Sequence, residues 1–308
     1  MENLEKAIAK IKESGIELLE NESLSKRSSF KIGGEARAYA LPESVEQLKT
    51  LCTILNEYSV SPMVLGNGSN ILFPDEGLRN LVIIGTEKLC AMELMEDGAI
   101  YAEAGISLAK LAIFAQQNAL TGLEFAGGIP GSLGGGTLMN AGAYGGELKD
   151  VIESVTCLTL PELEIKTIPN ELCAFRYRGS AFKEFGCIIL SAVLRPEKGD
   201  KDEIAAKMRE LAMKRREKQP LDLPSAGSAF KRPEGYFAAA LIDECGLKGY
   251  RVGGAQVSEK HAGFVVNAGG ATAADVRQLM ADVQRIVLEK KGVELEPEII
   301  MLGADFKP

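Results

Sequence analysis

The chain has 308 residues, 46% of them hydrophobic and 25% charged, with a formal net charge of −8. This is the composition of an ordinary globular protein of two or three domains, and it excludes disorder, collagen and coiled coil for the bulk. The acidic balance argues against nucleic acid or an anionic membrane as partner, so an anionic ligand must be held by a local group of Arg, Lys and backbone amides.

Residues 1–20 read as helix, with Leu4, Ala7, Ile8 and Ile11 on a 3.6-residue period. The acidic start lacks the basic and then apolar run of a signal peptide, and no apolar run approaches the ~18 residues of a membrane span. A cytoplasmic protein is therefore expected. Ser25–Gly34 is loop-like and leads to a strand at Ala36–Leu41. Ser44 and Gln47 form a capping box after Pro42, opening a helix that carries Val45, Leu48, Leu51 and Leu55. Pro62–Leu65 is a short apolar strand, Gly66–Asn70 a tight turn and Leu81–Ile84 another strand, which predicts a small α/β unit over residues 1–85. From 86 to 198, strands are expected at Ala99–Ala104, Val151–Leu160 and Cys187–Leu194, and a helix at Leu108–Asn118. A glycine-dense loop follows that helix: nine of the twenty residues from Gly127 to Gly146 are glycine. A helix over 201–218, with Ile204, Met208 and Leu211 on one side, ends in Lys214-Arg215-Arg216-Glu217-Lys218. That basic run reads as a solvated helix end complementing the macrodipole. A helix at Tyr236–Cys245, strands at Gln256–Ser258 and Gly263–Asn267, and a last helix complete a third, α+β unit over 199–308. The last helix opens with Thr272-Ala-Ala-Asp275 and carries the stripe Val276, Leu279/Met280, Val283, Ile286/Val287.

The six cysteines are scattered without a CxxC pair and read as buried thiols of a cytoplasmic protein, not as a disulfide framework. A single histidine, His261, leaves no His-rich zinc site and no HExxH motif, and no metal is expected. Gly66-x-Gly68-x-x-Ile71 starts like a dinucleotide fingerprint, but a bulky Ile stands where the third glycine belongs. From this segment alone, a plain turn and an amide-bearing phosphate loop are equally good readings. Gly127-Gly-Ile-Pro-Gly-Ser-Leu-Gly-Gly-Gly136 is no Walker A loop, since no Gly-Lys-Ser/Thr follows. A flexible linker would not need the stiff apolar Ile129, Pro130 and Leu133, so this loop reads as a ligand surface on which Gly128, Gly131, Gly134 and Gly135 expose N–H groups to a pyrophosphate. Asn140-Ala-Gly-Ala-Tyr144 continues it. Two such loops suggest one long ligand with a diphosphate at its middle.

Together these segments resemble the UDP-N-acetylenolpyruvoylglucosamine reductase family. The resemblance rests on Leu65-Gly-Asn-Gly-Ser-Asn70, Gly127-Gly-Ile-Pro-Gly-Ser-Leu133, Asn140-Ala-Gly-Ala-Tyr144, Tyr177-Arg178, Ala226-Gly-Ser228-x-Phe230-Lys231 and Glu296-Pro-Glu298-Ile299, in the family's order over nearly the whole chain. It implies an α+β protein: a two-lobed FAD-binding region of the vanillyl-alcohol-oxidase (PCMH) type, residues 1–85 and 86–198, plus a C-terminal α+β substrate-binding domain, 199–308. It implies non-covalent FAD, NADPH as co-substrate, a UDP-sugar as substrate and a monomer. The implied cofactor contacts are Leu65, Gly66, Asn67, Gly68, Ser69, Asn70, Gly128, Ile129, Pro130, Gly131, Gly134, Gly135, Asn140, Gly142, Ala143, Tyr144 and Ile188.

The family reaction reduces an enolpyruvyl ether to a lactyl ether, and so needs a hydride donor, a cation beside the substrate carboxylate and a proton donor. By resemblance Arg178 is the catalytic arginine, able to clamp a carboxylate with two parallel hydrogen bonds. Composition alone would make it a surface residue. Ser228, otherwise a turn or cap residue, is by resemblance the proton donor to a strongly basic enediolate-like intermediate. Glu298, just before Ile299-Ile300-Met301-Leu302, is expected partly buried with a raised pKa. Tyr177, Lys218, Lys231, Arg232 and Gln256 are the substrate-side candidates, and Asn267 a further one. Ser225 stands where the family commonly has Asn, and the extra tyrosine-bearing loop of the longer subclass is missing. Two other readings remain at this stage: an FAD oxidase of the same fold, and a non-catalytic nucleotide-binding protein. The lone histidine, in the third unit, disfavours a histidine-tethered flavin.

Overall fold

The computed structural model describes residues 2–306. Helix α1 (Glu2–Glu13) buries Leu4, Ala7, Ile8 and Ile11. It stops earlier than the pattern predicts. Gly15, with φ +77°, turns the chain into an edge strand at Glu17–Ser23. That strand is hidden in the sequence because its glutamates face outward, where Glu17, Glu20 and Glu22 meet Lys88, Arg37 and Arg27. It pairs antiparallel with Glu35–Leu41, and the sheet continues in parallel through Leu78–Gly85 to Pro62–Leu65. Helix α2 (Val45–Glu57) is capped by Ser44, whose Oγ accepts from the Gln47 N–H at 3.2 Å. The Gln47 side chain, however, accepts from the Glu43 N–H, so the reciprocal half of the box is displaced by one residue.

The second lobe is a five-stranded antiparallel sheet in the order Ile165–Pro169, Ile152–Thr159, Cys187–Leu194, Ile100–Glu103, Met92–Leu94. Helix α3 (Leu108–Gln117) covers it. Inside the glycine-dense stretch the chain is not all loop: Ser132 caps a short helix, α4 (Leu133–Leu138). Close packing explains its glycines. A Cβ on Gly134 would lie 2.9 Å from the Ala104 Cβ, and one on Gly136 would lie 2.9 Å from Leu148 Cδ1.

Helix α5 (Lys201–Lys218) follows. It lays Met208 on the second lobe's core, and the Lys201 carbonyl accepts from Gln116 Nε2 at 3.3 Å. The third core gathers residues from Ala226 onward with Phe30, Ile32 and Leu72, while α5 packs on the second lobe. The third unit packs α6 (Ala238–Glu244) and α7 (Ala273–Lys291) on a four-stranded antiparallel sheet, Ser225–Ser228, Phe264–Asn267, Ala255–Val257, Arg251–Val252. Thr272 and Asp275 form the complete capping box of α7, and Gly292 closes the helix in the left-handed conformation.

The units are interlocked. Leu158, Ile188 and Leu190 of the second sheet enter the first lobe's core, and Phe30, Ile32 and Leu72 of the first lobe enter the third core. Ile300–Met301 pairs in parallel with Ile71–Leu72, tying the chain's end to the segment after the Gly66–Asn70 turn. Leu279 lies at the centre of the α7 stripe and is fully buried. Leu279→Ala is expected to cost about 2–5 kcal/mol in unfolding free energy. Urea titration of wild type and variant at matched FAD concentration checks this.

Candidate active site

Where the three units meet there is a cleft with a cavity volume of ≈ 280 Å³. One wall is the turn after strand Pro62–Leu65. A Cβ on Gly66 would collide with Ser132 Oγ, and one on Gly68 (φ +58°) with the Arg27 carbonyl oxygen. Only a glycine turn brings the two loops this close. Asn67 Nδ2 bridges them by donating to the Pro130 carbonyl at 3.1 Å. Among the described residues the backbone N–H groups of Gly66, Asn67, Gly68, Ser69, Gly131 and Ser132 hydrogen-bond to nothing in the protein. Six unpaired donors from two facing loops make a wall suited to an anionic oxygen-rich group such as a diphosphate. Beside them the lining turns apolar, with Val64, Leu65, Leu108, Ile129, Leu138 and Phe264, as a flat ring system requires. A second cleft of ≈ 340 Å³ shares Gly66, Asn67 and Pro130 with the first and is edged by Lys26, Arg27, Ser28, Ser29 and Lys31. Donor wall, apolar wall and length fit an elongated dinucleotide cofactor.

At the far side of the first cleft Arg178, Glu298 and Ser228 line the same space. Arg178 sits in a tight turn closed by Arg176 N–H to Gly179 O at 2.9 Å and Gly179 N–H to Arg176 O at 3.1 Å. Its φ is +54°, a costly conformation for a residue with a side chain. The turn is held by Asn140 Nδ2, donating to the Arg176 carbonyl at 3.3 Å, and by Lys183 Nζ, donating to the Arg178 carbonyl at 3.2 Å. The Tyr177 ring lies 5.1 Å from the Arg178 guanidinium carbon. Arg178 Nε donates to Glu298 Oε1 at 2.5 Å. The two side chains are 24% and 10% exposed, so the pair is largely out of water. Burial pushes the Glu298 carboxyl above its ordinary value, against the downward pull of Arg178 and Lys231. Ser228 ends the strand Ser225–Ser228, with Glu298 N–H bonded to the neighbouring Ala229 carbonyl at 2.9 Å.

Of the sequence-predicted cofactor residues, Leu65, Gly66, Asn67, Gly68, Ser69, Asn70, Ile129, Pro130, Gly131, Gly135, Gly142 and Ala143 line the cleft. Five do not. The Gly134 N–H is spent on the Ala104 carbonyl at 2.8 Å. Gly128 is outside the lining and packs against Arg215. Asn140 is buried, and its amide ties together Glu147, Lys149 and Arg176. Tyr144 is exposed outside the cleft, and the Ile188 side chain belongs to the first lobe's core. The substrate-side candidates lie outside the lining as well. Tyr177 and Arg232 meet where the Arg232 N–H donates to Tyr177 Oη at 3.2 Å, with the Arg232 guanidinium stacked 4.0 Å over the Phe237 ring. Lys231 pairs with Glu296, and Lys218 is exposed at the end of α5. Gln256 turns away from the cleft and donates to the Gly249 carbonyl at 3.3 Å, and Asn267 bonds the Phe30 carbonyl at 3.3 Å. Sequence reasoning missed Arg215, Gln219 and Phe264, all in the lining. The signal for Arg215 and Gln219 was their i, i+4 spacing at the end of α5, masked by the neighbouring bases.

Comparison with known proteins identifies the arrangement. Residues 219–302 match the family model for the UDP-N-acetylenolpyruvoylglucosamine reductase C-terminal domain, and residues 36–168 match an FAD binding domain. The UDP-N-acetylenolpyruvoylglucosamine reductase of Agathobacter rectalis is 50% identical over 93% of this chain and 94% of its own. That of Lachnoclostridium phytofermentans is 46% identical over 94% of each. The crystal structure of the Thermus caldophilus reductase superposes with TM-score 0.79 at 35% identity, covering 94% of this chain and 99% of that one. A glucooligosaccharide oxidase from Acremonium strictum, at 11% identity and TM-score 0.50 over 94% of this chain and 59% of that one, shares the fold alone. The chain belongs to the UDP-N-acetylenolpyruvoylglucosamine reductase family.

The raised Glu298 carboxyl has a consequence for stability. The folded state holds this proton more tightly than the unfolded chain does. Its contribution is therefore complete below the ordinary value of 4.5 and is lost as pH rises through the raised one. Glu298→Gln removes that loss. The melting temperature of the variant relative to wild type is expected to climb as pH rises from about 4.5 towards neutrality. A difference that is flat with pH, or falls, would contradict the raised carboxyl.

Proposed function

We propose, from that membership and this geometry, that the chain reduces the enolpyruvyl ether of UDP-N-acetyl-3-O-(1-carboxyvinyl)-glucosamine to UDP-N-acetylmuramate, a step of peptidoglycan precursor synthesis. FAD is held non-covalently along the cleft and NADPH is the electron donor. The observation that carries this is the convergence of Arg178, Glu298 and Ser228 on the space lined by the unpaired loop amides. The bound flavin supplies the hydride, taken from NADPH and delivered to the terminal carbon of the enolpyruvyl double bond.

The protein's own groups do the rest. Gly66–Ser69 and Gly131–Ser132 donate to the cofactor diphosphate. The cleft lining contains neither histidine nor cysteine, which supports a non-covalent flavin over a histidine-tethered oxidase. Arg178 takes the substrate carboxylate through its guanidinium and stabilises the charge that develops there. Arrival of that carboxylate sets two acids around one guanidinium. Glu298, already raised by burial, then holds a proton and donates it in a hydrogen bond to the substrate carboxylate. Ser228 Oγ gives its proton to the inner carbon, which completes the addition of hydride and proton across the double bond. Lys218, Lys231 and Arg232, with the Tyr177 hydroxyl, are the groups we assign to the UDP diphosphate. Among the described residues no helix is long and apolar enough to cross a membrane. We read the chain as a cytoplasmic monomer, and its acidic net charge argues against nucleic acid or an anionic membrane as partner.

Single-turnover kinetics test the assignment. Ser228→Ala should bleach with NADPH at the wild-type rate, while reoxidation by the enolpyruvyl UDP-sugar falls about 10²–10⁴-fold. Wild-type reoxidation in that variant removes Ser228 from the mechanism, and a chain that takes up no FAD removes the reading as a whole.

A further inference from the structure

An α-helix leaves the N–H groups of its first turn without acceptors of its own. In α7 the Asp275 N–H is taken by Thr272 Oγ1 at 3.0 Å. Those of Ala273 and Ala274 are taken from another unit. Asp75 of the first lobe accepts from both, through Oδ1 at 2.8 Å and Oδ2 at 3.1 Å. A carboxylate there also meets the positive end of a 19-residue helix. A tight turn presents Asp75 in this position: the Gly34 and Gly77 N–H groups both donate to the Pro74 carbonyl, at 2.9 and 3.1 Å. A Cβ on Gly34 would collide with the Asp75 carbonyl oxygen, so only glycine allows this approach.

One turn along α7, Arg277 Nη2 donates to the Leu302 carbonyl. The Leu302 N–H donates in turn to the Leu72 carbonyl at 3.0 Å, and Leu72 stands three residues before Asp75. These contacts close a ring: Asp75, the first turn of α7, Arg277, Leu302, Leu72, and back through Phe73 and Pro74. Leu72, Phe73, Ala273 and Leu302 are buried, so the ring is packed as well as hydrogen-bonded. Two walls of the central cleft lead out of it. Just before Leu72 lies the Gly66–Asn70 turn, and just before Leu302 lies the strip that carries Glu298. The pairing of Ile300–Met301 with Ile71–Leu72 is only two residues long, too short to fix an angle by itself. The ring adds a second attachment on a different element.

Resting on the reductase reading above, we propose that Asp75 and Arg277 are positioning residues for the substrate-reducing step, holding the Glu298 strip and the Ser228 strand at a fixed distance from the cofactor turn. Neither side chain lines either cleft, so both act through other residues. Arg277 acts on the strip directly. Asp75 acts on α7, whose apolar stripe shares a core with Ala226 and Ala229 on either side of Ser228. Delivery of hydride and proton across the double bond needs the cofactor, Arg178, Glu298 and Ser228 in register, and a displacement of about 1 Å can cost about a hundredfold. Reduction of the cofactor by NADPH uses none of those three side chains. The ring therefore bears on one half-reaction and not on the other.

Stopped-flow measurement of the two half-reactions separates these roles, using FAD-loaded wild type, Asp75→Asn, Asp75→Ala, Arg277→Met and the double variant, with each rate normalised to bound flavin. Asp75→Ala and Arg277→Met should each slow reoxidation by the enolpyruvyl UDP-sugar about tenfold, while bleaching by NADPH and FAD affinity stay within about twofold of wild type. Asp75→Asn keeps one acceptor oxygen and is the readout should the alanine variant not fold; it should lose about threefold. Either substitution opens the same ring, so the double variant should fall well short of the product of the singles, about a hundredfold. A merely structural role lowers both half-reactions, or the flavin content, in parallel, and that result overturns the proposal. So do wild-type reoxidation in the single variants and a fully multiplicative double. A wild-type chain that NADPH does not bleach, or that the sugar does not reoxidise, fails the function reading itself, a result that precedes any substitution.

Discussion

Seven residues near the end of the chain, 296–302, are hydrogen-bonded on both flanks, and the catalytic geometry depends on that. On one side the Lys231 N–H donates to the Glu296 carbonyl at 2.8 Å and the Glu298 N–H to the Ala229 carbonyl at 2.9 Å. On the other, Ile300 N–H donates to Asn70 O and Leu302 N–H to Leu72 O, each at 3.0 Å, and Asn70 Nδ2 donates to Glu298 O at 3.1 Å. The strip is thus a wedge between the cofactor turn of the first lobe and the Ser228 strand of the third unit. Its buried Ile299 and Leu302 keep it from lifting. A glutamate can therefore face an arginine 120 residues earlier in the chain with little freedom to swing away.

The opposite jaw is held by different means. Arg178 stands in a left-handed turn, a conformation that survives only where its surroundings over-determine it. Here Asn140, Lys183 and the Tyr177 ring supply that determination. Asn140 itself has φ +43° and spends its whole amide on three loop partners, so it acts on the site through the arginine turn and not by touching a ligand. Strain on one side and a two-sided wedge on the other place the Arg178–Glu298 pair in a poorly hydrated gap. Removing either partner there leaves the other as a lone buried charge.

The sequence displayed the long periodic elements well. Helices 45–57, 201–218 and 273–291 follow their apolar periods, because each buries one face, and strand 187–194 shows as a near-continuous apolar run, because it buries both. Strand Glu17–Ser23 escaped notice because an edge strand can satisfy its acidic side chains with ion pairs and shows no apolar alternation. Helix α4 escaped notice because glycine suppresses every propensity signal, although Ser132 offered a cap. At the site, the residues fixed by local backbone demands were legible: the Gly66–Asn70 turn, the Gly127 stretch and the Tyr177-Arg178 turn. Arg215 and Gln219 were not, since only the packing of α5 on the second lobe decides which base of a basic cluster points inward. Gln256 and Ile188 lie outside the cleft lining, and strand periodicity gives two faces without saying which looks into a cleft.

The glycines of the 127–136 stretch divide into two physical kinds that composition cannot separate. Gly134 and Gly136 lack side chains so that α4 can press against Ala104 and Leu148, and the Gly134 amide is consumed within the protein. Gly131 keeps its amide unpaired at the cleft. The first kind serves the second. Because α4 sits so deep, its cap Ser132 reaches the level of Gly66, and the two donor loops are brought face to face instead of lying on separate lobes. The donor wall is therefore set by packing behind it, and a side chain that loosens α4 acts on the ligand site without coming near a ligand.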